Sequence, residues 1–182
     1  MRYLCSLGGN IDPQRHLALA VQALLELSPS LQLSRVIRTR PEGIDSSRYF
    51  LNALVALESS LDQVTLKQRF NAIEQALGRD RNHPMSSQRD RPIDIDILAV
   101  GNWPLDLTGC LADEPYLQPL ARDFTPDQAL PAAEAISIAL TPQLSAGQRP
   151  ATIDREPTTG DIRVVEQVVD RLADRFQSAL SG

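Results

Sequence analysis

Apolar positions recur along the N-terminal half of the chain at spacings that divide it into short elements. Residues 2–7 read as a strand, Arg2-Tyr3-Leu4-Cys5-Ser6-Leu7, which ends in Gly8-Gly9-Asn10. From Asp12 to Leu27 the apolar residues Leu17, Ala20, Val21, Leu24 and Leu25 repeat with helical spacing, and Asp12-Pro13 supplies a cap and first turn. Residues 31–39 alternate as a half-buried strand and run into a polar loop over 40–47. Phe50 to Leu57 forms another strand, with Phe50, Asn52, Leu54 and Ala56 on one face. Asp62 to Leu77 is a helix with Leu66, Phe70, Ile73 and Leu77 as its buried stripe, stopped by Gly78. A polar, basic loop over 79–92 carries Arg79, Arg81, Arg89 and Arg91, and Pro92 then opens a strand from Ile93 to Val100.

Strands and helices in that order predict an α+β fold, with helices on an antiparallel or mixed sheet rather than a doubly wound parallel one. Beyond Val100 the periodicity weakens. Residues 127–140 read as a helix with Pro131 near its first turn. Residues 141–161 are rich in Pro, Thr, Gly and Gln and read as a linker. Val165, Val168, Val169, Leu172, Phe176 and Leu180 line one side of an amphipathic helix over 162–180. The chain thus divides into a domain over 1–140 and a tail over 141–182. The terminal helix can cover its own core or pair with a second copy, so a homodimer is one expectation.

Composition narrows the function. A net charge of −5 argues against a general nucleic-acid binder, whose footprint should be basic. No apolar run is long enough for a membrane span, and residues 1–7 lack the features of a secretion signal, so a cytoplasmic protein is expected. Cys5 and Cys110 have mostly apolar neighbours and read as buried free thiols. His16 and His83 stand in no metal-binding spacing, which argues against zinc. The phosphate-binding pattern Gly-x-x-x-x-Gly-Lys-Ser/Thr is absent.

The candidate chemistry lies in Arg91-Pro92-Ile93-Asp94-Ile95-Asp96-Ile97. Alternate strand residues share a face, so Asp94 and Asp96 project together while the isoleucines point into the core. Two adjacent carboxylates repel unless a cation or arginines lie between them. Hard oxygen donors of this kind suit Mg²⁺, which completes its shell with water and substrate phosphates. An exposed edge made acidic for solubility is the plainer alternative. The arginines directly before the pair favour the metal, because guanidinium forks match phosphate oxygens. Gly8-Gly9-Asn10 reads as a plain turn, with an anion cradle as the other reading. Asn52, on the Phe50 face, needs hydrogen-bond partners that either a ligand edge or the core can supply.

Four stretches, taken in order, resemble the 6-hydroxymethyl-7,8-dihydropterin pyrophosphokinase family. They are Ser6-Leu7-Gly8-Gly9-Asn10, Arg38-Thr39-Arg40-Pro41-Glu42-Gly43, Phe50-Leu51-Asn52, and Ile73-Glu74 through Gly78-Arg79-Asp80-Arg81 to Arg91–Asp96. The resemblance covers about residues 1–124. It implies a ferredoxin-like α+β fold, a pterin pocket beside the sheet, and Mg²⁺-dependent transfer of diphosphate from ATP to a pterin alcohol in folate biosynthesis, with a pair of Mg²⁺ ions bridging the phosphates. Small molecules, the pterin alcohol and ATP, are then its partners. By position, Asp94 and Asp96 would hold the metal. Thr39 and Asn52 would bind the pterin edge, with Phe50 and Phe124 sandwiching the ring. Glu74, Arg79, Arg81, Arg91, Tyr116 and Arg122 would contact the nucleotide, and Arg81, Arg89 and Arg91 would serve catalysis.

Three departures stand out. The family's tryptophan and arginine before the Arg91 position are replaced by Ser86-Ser87-Gln88-Arg89-Asp90, where Arg89 would stand in for the arginine. The family's Pro-His pair is Pro115-Tyr116, and its apolar run after the Phe124 position is Thr125-Pro126-Asp127-Gln128. A binding homologue with impaired catalysis and a regulatory role is the alternative these changes allow.

Overall fold

The alternation of buried and exposed positions is resolved, in a computed structural model of the chain, into a seven-stranded antiparallel sheet with its two longer helices on one face, and a two-stranded sheet beside it. The structure describes residues 1–41, 46–81, 89–101, 110–111, 114–124 and 134–166. The elements run β1 (Arg2–Gly9), α1 (Pro13–Leu25), β2 (Ser30–Leu33), β3 (Ile37–Thr39), β4 (Phe50–Glu58), α2 (Gln63–Ala76) and β5 (Asp94–Gly101). A helical segment follows: a 3₁₀ turn over Pro115–Leu117, α3 (Gln118–Ala121), and a 3₁₀ turn over Arg122–Phe124. The chain then forms β6 (Ile138–Thr141), β7 (Leu144–Ala146), β8 (Ala151–Arg155) and β9 (Ile162–Glu166). In the sheet the strands lie in the order β5-β1-β4-β2-β8-β9, with β3 also on β4, and every pairing is antiparallel.

The helices form where the periodicity predicts them. Pro13 opens α1, although Asp12 enters it at φ +41° and its side chain makes no cap hydrogen bond. Asp62 caps α2 by accepting from the Thr65 amide at 2.8 Å, and Gly78, at φ +94°, takes the left-handed turn beyond its end. The apolar sides of both helices cover Tyr3, Cys5, Leu7, Ala53, Val55, Ile93 and Ile95 on one face of the sheet. Each fully buried leucine or isoleucine there contributes about 1.5–3 kcal/mol. The opposite face carries a smaller cluster of Leu4, Ile37, Leu54, Leu111, Leu117, Leu120 and Phe124.

The strand predicted over 31–39 breaks in two. The Ser34 hydroxyl takes the Leu54 amide at 2.8 Å, and Val36 turns away to exchange backbone hydrogen bonds with Ile136 and Gly147. The larger difference is in the tail. Residues 141–161, expected as a linker, contain β7 and β8, and β8 pairs Ala151 with Leu33 and Ile153 with Leu31. Ala151 and Ile153 are buried while Thr152 and Asp154 face outward, a two-residue alternation too short to stand out among Pro, Gly and Thr. The helix expected over 127–140 is, at its end, the strand β6, with Ile138 and Leu140 buried against α1. The helix expected over 162–180 begins as β9, hydrogen-bonded to β8 along its length. Residues 127–133 and 167–180 of those two expectations, and with them the dimer contact of the second, lie outside the described residues.

Cys5 is buried and Cys110 half-buried, and both are free. Among the described residues no helix is long and apolar enough to cross a membrane.

Candidate functional site

Three neighbouring strands set the geometry on the face away from α1 and α2. Gly8 in β1 is the register partner of Asp94 in β5 and of Asn52 in β4, and Ile37 in β3 continues the row beyond Asn52. Directly opposed residues of antiparallel strands share a face, so Asp94 and Asn52 stand on either side of a glycine. One step along, Ser6 lies between Asp96 and Leu54. A Cβ on Gly8 would sit 2.6 Å from Asn52 Oδ1, so the glycine makes room for the carboxamide. A Cβ on Gly9 would collide with the Pro92 carbonyl. Asn10 completes this latch: its Nδ2 donates to Asp90 Oδ1 at 2.7 Å, and its Oδ1 accepts from the Arg91 amide at 2.9 Å. Gly8 and Gly9 therefore end β1 rather than forming a turn, and Asn10 ties that end to the chain entering β5.

A pocket opens over this row. Gly8, Thr39, Phe50 and Asn52 line it together with Arg91, Asp94, Asp96, Glu114 and Tyr116. Asn52 Nδ2 donates to Thr39 Oγ1 at 2.7 Å, which fixes the amide and leaves its carbonyl toward Gly8. The Arg91 guanidinium lies 5.4 Å from the centroid of the Phe50 ring, within cation–π range.

Basic groups hold every carboxylate of the β5 end. Asp94 accepts from Arg79 Nη1 and from Arg91 Nη1, the latter at 2.9 Å, and Arg81 Nη2 approaches to 3.7 Å. Burial opposes ionisation of Asp94, but the Arg79 hydrogen bond and the charges of Arg79, Arg91 and Lys67 outweigh it and hold its pKa below the ordinary value. Glu74 projects from the core-facing side of α2 and is fully buried. It accepts from Arg81 and from the Ile95 amide at 2.8 Å, with Arg79 at 3.4 Å. Burial pushes its carboxyl upward against the pull of those partners. Asp96 is half-exposed and accepts from Lys67 Nζ at 2.6 Å, while the same ammonium donates to the Ile95 carbonyl at 2.6 Å.

Of the residues singled out in the sequence, Thr39, Phe50, Asn52, Arg91, Asp94, Asp96 and Tyr116 line the pocket together. Glu74, Arg79 and Arg81 form the layer behind Asp94. Arg89 is exposed beside Asp90, and Arg122 is exposed on its 3₁₀ turn. Phe124 is buried in the apolar cluster with Ile37 and Leu54. Residues 82–88, including His83 and the altered Ser86-Ser87-Gln88, lie outside the described residues.

Sequence reasoning missed Lys67, Asn10, Asp90 and Glu114. Lys67 had a signal, since it stands two helical turns before Glu74 and so on the same side of α2. Glu114 had none: it comes to the pocket on the helical segment before Pro115, where burial and the Glu114 carboxylate raise the Tyr116 phenol's pKa.

Asp94 and Asp96 offer hard oxygen donors side by side over an open pocket. Among the described residues no third His, Cys, Asp or Glu joins them in a cluster able to cage a metal. That donor set fits Mg²⁺, which takes one or two carboxylates and draws its remaining ligands from water and phosphate, and does not fit a closed structural site.

A family model described as 7,8-dihydro-6-hydroxymethylpterin-pyrophosphokinase (HPPK) matches residues 4–138. Two curated relatives, from two strains of Porphyromonas gingivalis, are each named 2-amino-4-hydroxy-6-hydroxymethyldihydropteridine pyrophosphokinase. Each is 38% identical over 121 residues, covering 65% of this chain and 82% of the relative. The match contains every residue that lines the pocket, and the chain belongs to the HPPK family.

Proposed function

We propose that this pocket transfers the diphosphate of ATP to the hydroxymethyl group of a dihydropterin, the pyrophosphokinase step of folate biosynthesis. The observation that carries this reading is the row Asp94–Gly8–Asn52, which sets a carboxylate and a fixed amide on one face, with the glycine between them. The Asn52 carbonyl and Thr39 hydroxyl read the donor and acceptor edge of a pterin, and Phe50 offers a ring face to its plane. Asp94 and Asp96 hold Mg²⁺, which when bound neutralises phosphate charge and orients the triphosphate.

The chain's own groups do the rest by placement. The pterin hydroxyl oxygen bonds to the β-phosphorus as the bond from that phosphorus to the α,β-bridging oxygen breaks; AMP leaves, and the hydroxyl proton is released to water. Such a transfer needs alignment and charge dispersal more than covalent help. Arg91 lies between the Phe50 ring and Asp94, where its fork can follow the transferring group. Arg79, braced with Arg81 by buried Glu74, joins Arg91 in keeping Asp94 ionised and aimed. Arg122, exposed on its 3₁₀ turn, and Tyr116, which lines the pocket, are assigned to the nucleotide, and Arg89, exposed beside Asp90, to catalysis. Purified protein with Mg²⁺, ATP and hydroxymethyldihydropterin should yield AMP and the pterin diphosphate in equal amounts. No AMP at saturating substrates would refute the assignment.

A further inference from the structure

Outside the pocket, Arg35 and Asp123 form an ion pair with side chains only 6% and 0% exposed. Arg35 Nη2 lies 2.9 Å from Asp123 Oδ1, and its Nε donates to the same oxygen at 3.0 Å. The Arg35 backbone amide adds a bond to Asp123 Oδ2 at 2.7 Å, and Nη2 also reaches the Pro119 carbonyl at 3.3 Å. Arg35 sits in the break between β2 and β3. Ser34 anchors it there by accepting from the Leu54 amide of β4 and donating to the Arg35 carbonyl at 2.7 Å. Asp123 sits at the far end of the helical segment that begins at Glu114.

A buried ion pair contributes little more to stability than apolar residues of the same volume. What it adds is direction. Leu117, Leu120 and Phe124 already glue the segment to Leu4 and Leu54, but apolar contact fixes no orientation. The guanidinium fork, gripping a side chain and a main-chain carbonyl of the segment, does.

We propose that Arg35 and Asp123 are positioning residues, whose clasp sets the 114–124 segment so that Glu114 and Tyr116 form the pocket wall facing Asp94. The inference rests on the pyrophosphokinase reading for its substrates. Neither residue touches substrate; both act through the segment.

The test is the double variant Arg35→Met with Asp123→Leu, which fills the space without leaving a lone buried charge. Steady-state kinetics, thermal melting and amide hydrogen exchange over 114–124 are compared with the unaltered chain. The expected result is a melting temperature close to the original and faster exchange in 114–124. The KM for ATP or pterin should rise about tenfold, with kcat within about twofold. Original KM values and exchange, or a fall in kcat alone, would overturn the proposal. If the double variant does not fold, Arg35→Lys decides: it keeps the charge and loses the fork, so a raised KM supports the clasp and an unchanged one overturns it. If the unaltered chain forms no AMP, the functional reading fails. Exchange in 114–124 then still decides whether the clasp orients the segment.

Discussion

Asp94 and Asn52 face each other across Gly8, each its register partner, so carboxylate and carboxamide are held a two-strand spacing apart by a residue with no side chain. Three strands are needed to make this arrangement, and Gly8 is its most sensitive point.

Gly8→Ala puts a methyl group 2.6 Å from Asn52 Oδ1 and forces the carboxamide to rotate, at the expense of its bond from Nδ2 to Thr39. The strand itself tolerates alanine. Pterin affinity should fall about tenfold or more, as a lost and unpaired hydrogen-bond edge costs. Binding of a non-hydrolysable ATP analogue should change little. Calorimetry with each ligand separately distinguishes the two.

Asp94→Asn and Asp96→Asn should both lower kcat by about a hundredfold or more, because each removes charge at the centre of transfer. Their stabilities should diverge. Asp94 is the shared partner of Arg79 and Arg91, so its loss costs about 2 kcal/mol, whereas half-exposed Asp96 contributes at most about 0.5 kcal/mol through Lys67. Urea denaturation of the two variants checks the difference.

Lys67 occupies a carboxylate oxygen that a metal would use. Removing it as Lys67→Met should lower the Mg²⁺ concentration for half-maximal activity by about two- to fivefold, the range expected of a partly exposed ion pair. Titration of Mg²⁺ at fixed ATP is the measurement. A higher Mg²⁺ requirement would show that Lys67 aids the site instead of competing in it.

Ile153→Ala separates a core strand from a linker. Ile153 is fully buried opposite Leu31, so the change should cost about 2–5 kcal/mol in chemical denaturation. A linker residue would cost almost nothing.

The sequence carried the local parts of this site and lost the distant ones. Strand periodicity placed Asp94 and Asp96 on one face and Ile93 and Ile95 in the core. The same rule aligned Phe50 with Asn52. Those are properties of a single strand and need no partner. Lys67 reaches Asp96 from another element, and Arg35 meets Asp123 across 88 residues, so no local pattern announces either contact. Phe124 likewise lies among Leu117, Leu120 and, from two other stretches of chain that its own neighbours do not announce, Ile37 and Leu54. The tail was misread because composition outweighed a brief alternation. Ala151 and Ile153 are the only buried positions of a strand five residues long.

The family match ends at residue 138, the first residue of β6. A gene fragment trimmed to that boundary would remove Leu140 and Ile153 from the core and strip β8 from β2. The bared margin, Ser30–Leu33, would present unsatisfied backbone amides and carbonyls to any neighbouring chain. For this protein the alignment boundary is therefore the wrong place for the scissors. A shortened chain would be expected to collect in inclusion bodies with its pocket residues all present, whereas one carried through Glu166 keeps β2 paired with β8.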